Sequence, residues 1–535
     1  MLLKEISKTP EFLKLVNEIQ SYSSPIALFG LSQTARAAFI AAVQKVTGRQ
    51  VLVLAKDEKS ANKLNDDITF FGEKTQVFPA RDLTLRALEG FSREYEYRRI
   101  QTMGYLVSKR CNIVVSTMEA ALMYTMPKEK FLQNTLTIKD TTTIKPMDLV
   151  QSLVNAGYIR REMVEGPGQF AQRGDIVDLY TPDMPMPVRI EFWGDEIDRI
   201  NTFEIESQRR TEQIKKVHIS PVKEVLFTTP QQAIDAITAY RKTVNSKNLA
   251  AFDTACEKDL ITLKNDMMPQ AMDKYIGMCY SERSTLFDFL DNPIIFIDDF
   301  AAAREGYEQV LWHNGQDMET LLADGILAKG MTDFYAPYSY ILEKAKTLPA
   351  IIAEDFVRSV SDVSLSNVVN FTCHNLPSWA GEYKVLAEDV GELIKQKYKI
   401  VVLAGTKKSA QSLVRDLESF GYNAFYMEKD CDVAPGTIGV AGGHTQQGFD
   451  LPAYKLCLTR TIRIDIIFLR KCRIILPVQP NSNNLLWLFT GEFPTINQMY
   501  CQFSGIRSRH TLSLFTHNAT NIHIYCQDLG AGSGF

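Results

Sequence analysis

The sequence predicts an α/β fold built on a parallel sheet with helices on both faces. Short apolar runs such as Ile26–Phe29 and Val51–Leu54 have the length and composition of buried strands. Amphipathic segments of helix length separate them, and strands that alternate with helices form parallel sheets. The strict alternation near Val188–Trp193 predicts a small α+β module, and the region after Leu376 predicts a second, smaller α/β domain.

The composition is that of a globular protein with several domains. The chain has 535 residues, a length sufficient for three or four domains. Of these residues, 45% are hydrophobic and 23% are charged, as in an ordinary globular protein. Its net charge of −4 gives no overall attraction to nucleic acid, so any DNA contact would have to be local. The nine cysteines contain no Cys-x-x-Cys pair, which favours reduced thiols in the cytoplasm. We expect no signal peptide and no membrane span.

The first 132 residues alternate between helices and strands in the order of a nucleoside-triphosphatase core domain. The predicted elements are a helix after Pro10, a strand at Ile26–Phe29, a helix at Ala35–Val46, a strand at Val51–Leu54, a helix carrying Ala61, Leu64 and Ile68, and strands at Val77–Phe78 and Ile113–Val115.

The loop after the first strand determines whether this domain could hold a nucleotide. A phosphate-binding loop has the pattern Gly-x-x-x-x-Gly-Lys-Ser/Thr, because backbone N–H groups and the Lys hold phosphates and the hydroxyl holds magnesium. Gly30 keeps the first glycine, but Ala35, Arg36 and Ala37 replace the second glycine, the Lys and the hydroxyl residue. Arg36 could still meet an anion. We nevertheless expect no bound nucleotide, no metal and no catalytic residue here.

A charged run follows at Ser92–Arg99, where acidic and basic residues alternate. This pattern predicts a solvated helix face. Tyr95 and Tyr97 could stack on bases, but the mixed charge argues against a track for phosphates. We therefore expect no direct recognition of damaged DNA at this run.

The most informative stretch is Gln169–Gln213, which contains the alternating strand. If its apolar residues face the core, Arg189, Glu191 and Trp193 face outward together. A Trp between an Arg and a Glu has the composition of a protein-binding hot spot. An ordinary antiparallel sheet with one solvated face explains the alternation equally well.

The motifs of this stretch resemble a known module. Arg173–Asp178, Arg189–Ile197 and Ser207–Arg209, in this order and spacing, are similar to the UvrA-binding module shared by UvrB and the bacterial transcription-repair coupling factors. The resemblance covers roughly residues 2–456. The altered loop at Gly30 favours the coupling factors, because UvrB has an intact phosphate-binding loop. A UvrB-like ATPase or helicase and a stand-alone UvrA-binding adaptor remain as alternatives.

The resemblance implies a domain organisation. It predicts a UvrB-like domain with a degenerate phosphate-binding loop at 1–132, an inserted UvrA-binding module at 133–220 and a return segment at 221–350. The strand Ile294–Ile297, followed by Asp298 and Asp299, would return to the first domain as a buried strand. A small connector domain is predicted at 375–456, where a helix would begin near Ser409 as its N-cap and stop at Gly421.

The resemblance also implies partners and site residues. UvrA would bind at Arg173, Arg189, Glu191 and Trp193, the last standing where the family usually has Phe. In the family, the whole protein is an ATP-driven DNA translocase that displaces stalled RNA polymerase. No motif of that motor is seen here, so ATP, magnesium, DNA and RNA polymerase are implied only for the family's full-length protein, and this chain is expected not to be an enzyme.

Arg173 raises a problem of parity. It has the same parity as Val177 and Leu179, so a regular strand through these residues would bury it. We expect a β-bulge at Gly174 to turn Arg173 outward.

The composition changes after Leu456. The segment 457–535 contains few charged residues but four of the nine cysteines, Cys457, Cys472, Cys501 and Cys526. His510, His517 and His523 are also here, but none of these residues has the spacing of metal ligands. We expect an anomalous tail, frame-shifted or otherwise altered, that folds poorly.

Overall fold

The structure, a computed structural model, describes residues 2–83, 85, 92–227, 229–265, 269, 271–355, 363–376, 379–380, 383–428, 431–462, 510–517 and 521–528. The chain divides into two units, Met1–Thr461 and Ile462–Phe535. None of the helices within these ranges is long and apolar enough to cross a membrane.

Helices and strands alternate up to residue 133. The elements are α1 (Leu2–Ile6), α2 (Pro10–Gln20), β1 (Ile26–Phe29), α3 (Gln33–Thr47), β2 (Val51–Ala55), α4 (Glu58–Phe70), β3 (Thr75–Phe78), α5 (Glu94–Val107), β4 (Ile113–Thr117), α6 (Met118–Leu122) and α7 (Lys128–Gln133). Thr9, Ser32 and Asp57 begin α2, α3 and α4 as N-caps, because each side chain accepts a hydrogen bond from a backbone N–H of the first turn.

The module contains mostly short antiparallel strands. Its elements are β5 (Leu136–Lys139), α8 (Pro146–Asn155), β6 (Ile159–Arg160), β7 (Gln169–Arg173), β8 (Ile176–Leu179), β9 (Val188–Trp193), β10 (Glu196–Phe203), β11 (Arg210–Gln213) and β12 (Lys216–Ile219). One sheet has the order β11-β10-β9-β8-β7-β6, and β5 pairs separately with β12. One face of the six-stranded sheet and α8 share a buried apolar core that includes Leu149, Phe170 and Ile190.

The chain then returns to the first domain. The returning elements are α9 (Pro230–Arg241), α10 (Leu249–Lys264), α11 (Ile276–Cys279), β13 (Ile294–Asp298), α12 (Phe300–Ala323), α13 (Ser339–Thr347), β14 (Ala350–Glu354) and β15 (Asn367–Asn370). β13 lies between β14 and β2 in a seven-stranded sheet of order β15-β1-β14-β13-β2-β4-β3. Every neighbouring pair in this sheet is parallel.

Both faces of this sheet are covered, which explains the unbroken apolar runs. On β2, Leu52 and Leu54 belong to one buried cluster, whereas Val51 and Val53 belong to the cluster on the other face. A strand with two buried faces needs apolar residues at every position. The predicted α/β class, with its parallel-sheet domain and additional small sheets, is confirmed.

A smaller α/β sheet follows. Its elements are β16 (His374–Leu376), β17 (Trp379–Ala380), α14 (Tyr383–Lys395), β18 (Lys399–Leu403), α15 (Lys407–Ser419), β19 (Ala424–Tyr426), β20 (Ile438–Ala441), β21 (Gly448–Leu451) and β22 (Leu456–Ile462). The strand order is β16-β21-β22-β18-β20-β19, with β17 on β22.

Two details differ from the sequence predictions. The boundary predicted at Leu456 is wrong for this sheet, because β22 continues to Ile462 and buries Cys457 and Leu458 beside β18. The N-cap of α15 is Thr406 rather than Ser409: the Thr406 hydroxyl accepts the Ser409 backbone N–H at 3.1 Å. The other predicted domain limits stay predictions.

The charged run Ser92–Arg99, which forms the start of α5, is not a purely solvated face. Arg99 is fully buried, and its guanidinium donates to Glu224 at 2.7 Å and 3.1 Å. Arg81 donates to the same carboxylate at 2.9 Å and also binds Asp273. The expectation of solvation was therefore wrong at Arg99, because its partner lies 125 residues away and the local charge pattern could not reveal it.

The second unit contains an antiparallel hairpin of β23 (His510–His517) and β24 (Asn521–Asp528). Cys472 and Cys501 lie outside the described residues. The tail's anomalous character stays a prediction.

Candidate functional site

In the loop between β1 and α3, another part of the chain comes very close to Gly30. Gly30 has φ +78°, and a Cβ built on it would lie only 2.0 Å from the backbone oxygen of Phe371. The chain after β15 therefore passes directly over the loop. The Ser32 hydroxyl already accepts the Ala35 N–H at the start of α3, which removes a donor that a phosphate would use.

Arg36, at the position of the missing Lys, is engaged inside the protein. Its guanidinium is almost fully buried and binds Asp298 at 2.5 Å and also Asp355. Burial by itself would lower the pKa of Arg36, but the two carboxylates outweigh it and raise that pKa. Ala35 and Ala37 are buried in α3. This geometry supports the prediction that the loop binds no nucleotide, which stays a prediction.

The alternation of β9 gives the module two different faces, as predicted. Its three apolar residues are buried in the core shared with α8. Arg189 and Glu191 are half-buried on the opposite face, called here the outer face, and Trp193 is 82% exposed.

Arg173 also belongs to the outer face, but not because of a bulge. Arg173 pairs with Ile176 across a two-residue turn at Gly174-Asp175, and Ile176 pairs with Glu191. Directly paired residues of antiparallel strands share a face, so Arg173 lies on the side of Glu191. The predicted bulge at Gly174 was wrong, because a two-residue turn reverses the parity between the strands that it joins.

The guanidinium of Arg189 is occupied within the module. It donates from Nε and Nη2 to the two oxygens of Asp178, which is 3% exposed, and Nη1 donates to the Gln208 backbone oxygen at 3.3 Å. The hydrogen bonds with Asp178 raise the pKa of Arg189. The same guanidinium lies 4.8 Å from the ring centre of Phe203. Arg189 therefore stabilises the outer face through contacts inside the module, and its guanidinium does not extend toward a partner.

Glu191 is also paired within the sheet. Arg210 on β11 lies 2.5 Å from one carboxylate oxygen, and Arg199 on β10 lies 3.7 Å from the other. The side chain of Glu191 is only 14% exposed. It joins three neighbouring strands, and its burial leaves little of the carboxylate accessible to a partner.

Two of the predicted residues remain accessible. Trp193 lies at the end of β9, where Gly194-Asp195 turns the chain into β10. Arg173 is exposed and donates to the Glu162 backbone oxygen at 2.8 Å. Among the residues that the structure describes, no carboxylate lies within ion-pair distance of Arg173. An exposed aromatic ring and an uncompensated guanidinium can bind another protein.

Asp178 and Arg210, the partners of the outer-face residues, were not predicted from the sequence. Asp178 follows Ile176 at the strand period of two, so alternation could have placed it on the outer face. Nothing in the local sequence connects Arg210 with Glu191, because that contact depends on the order of β11, β10 and β9.

Comparisons with known proteins point in one direction. Residues 136–225 match the family described as the UvrB interaction domain. A transcription-repair-coupling factor of Bacillus subtilis is 26% identical over 463 residues, which are 85% of this chain. Those of Staphylococcus epidermidis and Staphylococcus haemolyticus are 24% identical over 476 and 442 residues, covering 85% and 81% of this chain. The resemblance to the N-terminal part of such factors is confirmed.

The matched region is only part of each relative. It covers 39% of the Bacillus subtilis and Staphylococcus epidermidis proteins and 37% of the Staphylococcus haemolyticus protein. The chain thus spans about two fifths of the length of these relatives. Among solved structures, a Saccharomyces cerevisiae Dbp5 complex matches with 8% identity, 82% coverage of this chain, 76% coverage of that chain and a TM-score of 0.16, which carries no argument about the fold.

Proposed function

Because the chain resembles the N-terminal part of transcription-repair-coupling factors and contains a UvrB interaction domain, we propose that it binds UvrA through the outer face of its module. The role would be to recruit UvrA in transcription-coupled excision repair, in the cytoplasm. The observation that carries the proposal is Trp193, which is 82% exposed on the same face as Arg173. Keeping so large an apolar ring in contact with water is unfavourable in free energy. Such exposed rings are typical of anchor residues in protein interfaces.

The four predicted contact residues divide into two kinds within this proposal. Trp193 and Arg173 would touch UvrA, since both side chains are exposed. Arg189 and Glu191 would act as positioning residues, since Asp178 and Arg210 already engage them. Displacement of RNA polymerase and ATP-driven movement on DNA belong to the whole protein of the family, and the proposal assigns neither to this chain.

Measured binding of purified UvrA to the full chain tests this function. Trp193→Ala and Arg173→Ala should each weaken binding by roughly thirtyfold, about 2 kcal/mol. The control is Trp312→Ala, which removes another exposed Trp, 62% accessible, from α12 outside the module. Melting curves should match the parent for all three variants. Failure of the parent chain to bind UvrA, or parental affinity in both module variants, would refute the proposal.

The alternative of a UvrB-like ATPase has less support. Arg36 is held by Asp298 and Asp355, and the chain at Phe371 covers Gly30. An ATPase assay on the full chain separates the two functions. A UvrB-like enzyme would hydrolyse ATP, whereas a UvrA-binding chain that lacks the motor of the coupling factors would not.

A further inference from the structure

The segment between β6 and β7 crosses the outer face of the module. Val164, in the middle of this segment, is only 1% exposed and packs in a small apolar cluster with Ala171 and Phe203. Ala171 pairs with Asp178, and the Phe203 ring lies under the Arg189 guanidinium. Val164 therefore fixes its segment to the face that carries the candidate contact residues.

Two hydrogen bonds hold the backbone on either side of Val164. The Arg173 guanidinium donates to the Glu162 oxygen at 2.8 Å, and the Glu165 N–H donates to the Gln169 side chain at 2.9 Å. Met163 lies between these fixed points, and its side chain is 45% exposed. A flexible thioether on an ordered backbone can adapt its shape to an irregular apolar depression on a partner.

On this face the charges of Arg189 and Glu191 are paired within the sheet, whereas the described residues offer Arg173 no carboxylate partner. Asp178 neutralises Arg189, and Arg199 and Arg210 surround Glu191. Arg173 contacts only a backbone oxygen within the described ranges, so most of its five N–H donors stay available.

The three accessible side chains lie close enough together for one partner surface to reach all of them. Met163 directly follows Glu162, whose backbone oxygen accepts a hydrogen bond from Arg173. Arg173 pairs with Ile176 and Ile176 with Glu191, two positions before Trp193. With strands about 4.8 Å apart and a rise of about 3.4 Å per residue, the Cα atoms of Arg173 and Trp193 are roughly 12 Å apart. One partner surface of ordinary size can cover that distance.

From this arrangement we infer that Met163 is a further contact for UvrA, and that the UvrA surface presents a carboxylate to Arg173 between apolar depressions for Met163 and Trp193. The inference rests on the proposed function. It adds a residue that the motifs of the UvrA-binding module do not include, and it specifies an acidic group on the partner.

Substitutions at Met163 in the full chain test the inference with purified UvrA. Met163→Ala should weaken binding about fivefold through lost apolar contact. Met163→Glu should weaken it at least tenfold, because the new carboxylate repels the acidic group facing Arg173. Met163→Lys should lose less than Met163→Glu, and the difference should shrink at high salt.

Met147 provides a matched control. It is 64% exposed on α8, the helix that packs on the opposite face of the sheet. Met147→Ala and Met147→Glu should bind UvrA like the parent, and the melting temperatures of all variants should agree. If the parent binds and Trp193→Ala weakens it, but Met163→Glu binds normally, the inference is wrong while the proposed function stands. Equal losses of affinity for Met163→Glu and Met163→Lys would show that UvrA presents no acidic group to Arg173. A parent chain that does not bind UvrA would refute both this inference and the proposed function.

Discussion

Arg189 holds the carboxylate of Asp178 through two parallel hydrogen bonds, from Nε to Oδ1 at 2.7 Å and from Nη2 to Oδ2 at 2.8 Å. The two residues are direct neighbours on β9 and β8. A planar guanidinium and a carboxylate match in this geometry, which fixes both side chains. An arginine expected to reach a partner is thus engaged by its own sheet.

Arg189→Ala should lower the free energy of unfolding by about 2 kcal/mol. The substitution leaves the nearly buried carboxylate of Asp178 without its partner, and an unpaired buried charge is costly. Arg189→Lys should restore only part of this loss, because an ammonium cannot form the fork. Denaturant unfolding measures both changes.

Arg199→Ala is the control for this prediction, since its side chain is 45% exposed and its ion pairs are screened by solvent. It should lose well under half as much stability as Arg189→Ala. Equal losses would show that the outer-face pairs do not differ in strength.

The N-terminal domain should show no heat of binding when titrated with ATP and magnesium. Arg36 already satisfies Asp298, and no lysine or hydroxyl residue stands at the loop positions that phosphates and magnesium require. Isothermal titration of the full chain checks this. Micromolar binding that disappears in Arg36→Ala would contradict it, provided that the variant is still folded by circular dichroism.

Glu224 should make stability depend on acid pH. Burial by itself would raise the pKa of Glu224, but the charges of Arg99 and Arg81 outweigh it and lower that pKa from 4.5 to about 2. The folded chain then binds this proton less tightly than the unfolded chain. The stabilisation is therefore complete above the unfolded pKa of 4.5 and is lost as the pH falls towards 2.

Comparison of the parent with Glu224→Gln isolates this effect. Between pH 7 and pH 3, the parent should lose about 2 kcal/mol more unfolding free energy than the variant, because the other titrating groups are common to both. Asp253→Asn is the control: Asp253 forms a similar fork with Arg241, but in solvent. Parallel curves for the parent and Glu224→Gln would show that Glu224 is not held by this ion network.

The melting temperatures of truncated chains should show whether the small domain ends at Leu456 or at Ile462. A chain that stops after Ile462 should melt at the parental temperature, because it keeps all of β22. A chain that stops after Leu456 should melt several degrees lower, because it loses Cys457 and Leu458, both at most 1% exposed, from between β21 and β18. Calorimetry of the two truncated chains decides the matter, and equal melting temperatures would mean that β22 adds nothing.

Local patterns determined several features without any structure. The apolar runs at β1, β2 and β13 predicted buried parallel strands, and the alternation of β9 assigned its residues to two faces. Both follow from strand geometry, since side chains alternate between faces over a few consecutive residues. The substitutions at Ala35, Arg36 and Ala37 likewise removed phosphate-binding groups at known positions.

Only the tertiary structure decided which side chains remain free. The turn at Gly174-Asp175 set the face of Arg173, and the order of the strands joined Arg189 with Asp178 and Glu191 with Arg210. Arg99 was predicted to be solvent-exposed from the charge pattern around it, but it forms an ion pair with Glu224 in a distant segment of the chain. Periodicity specifies a face because it is local, whereas an ion pair depends on strand order and on burial. A sequence can therefore indicate the contact surface, but the folded chain selects which of its charges are available to a partner.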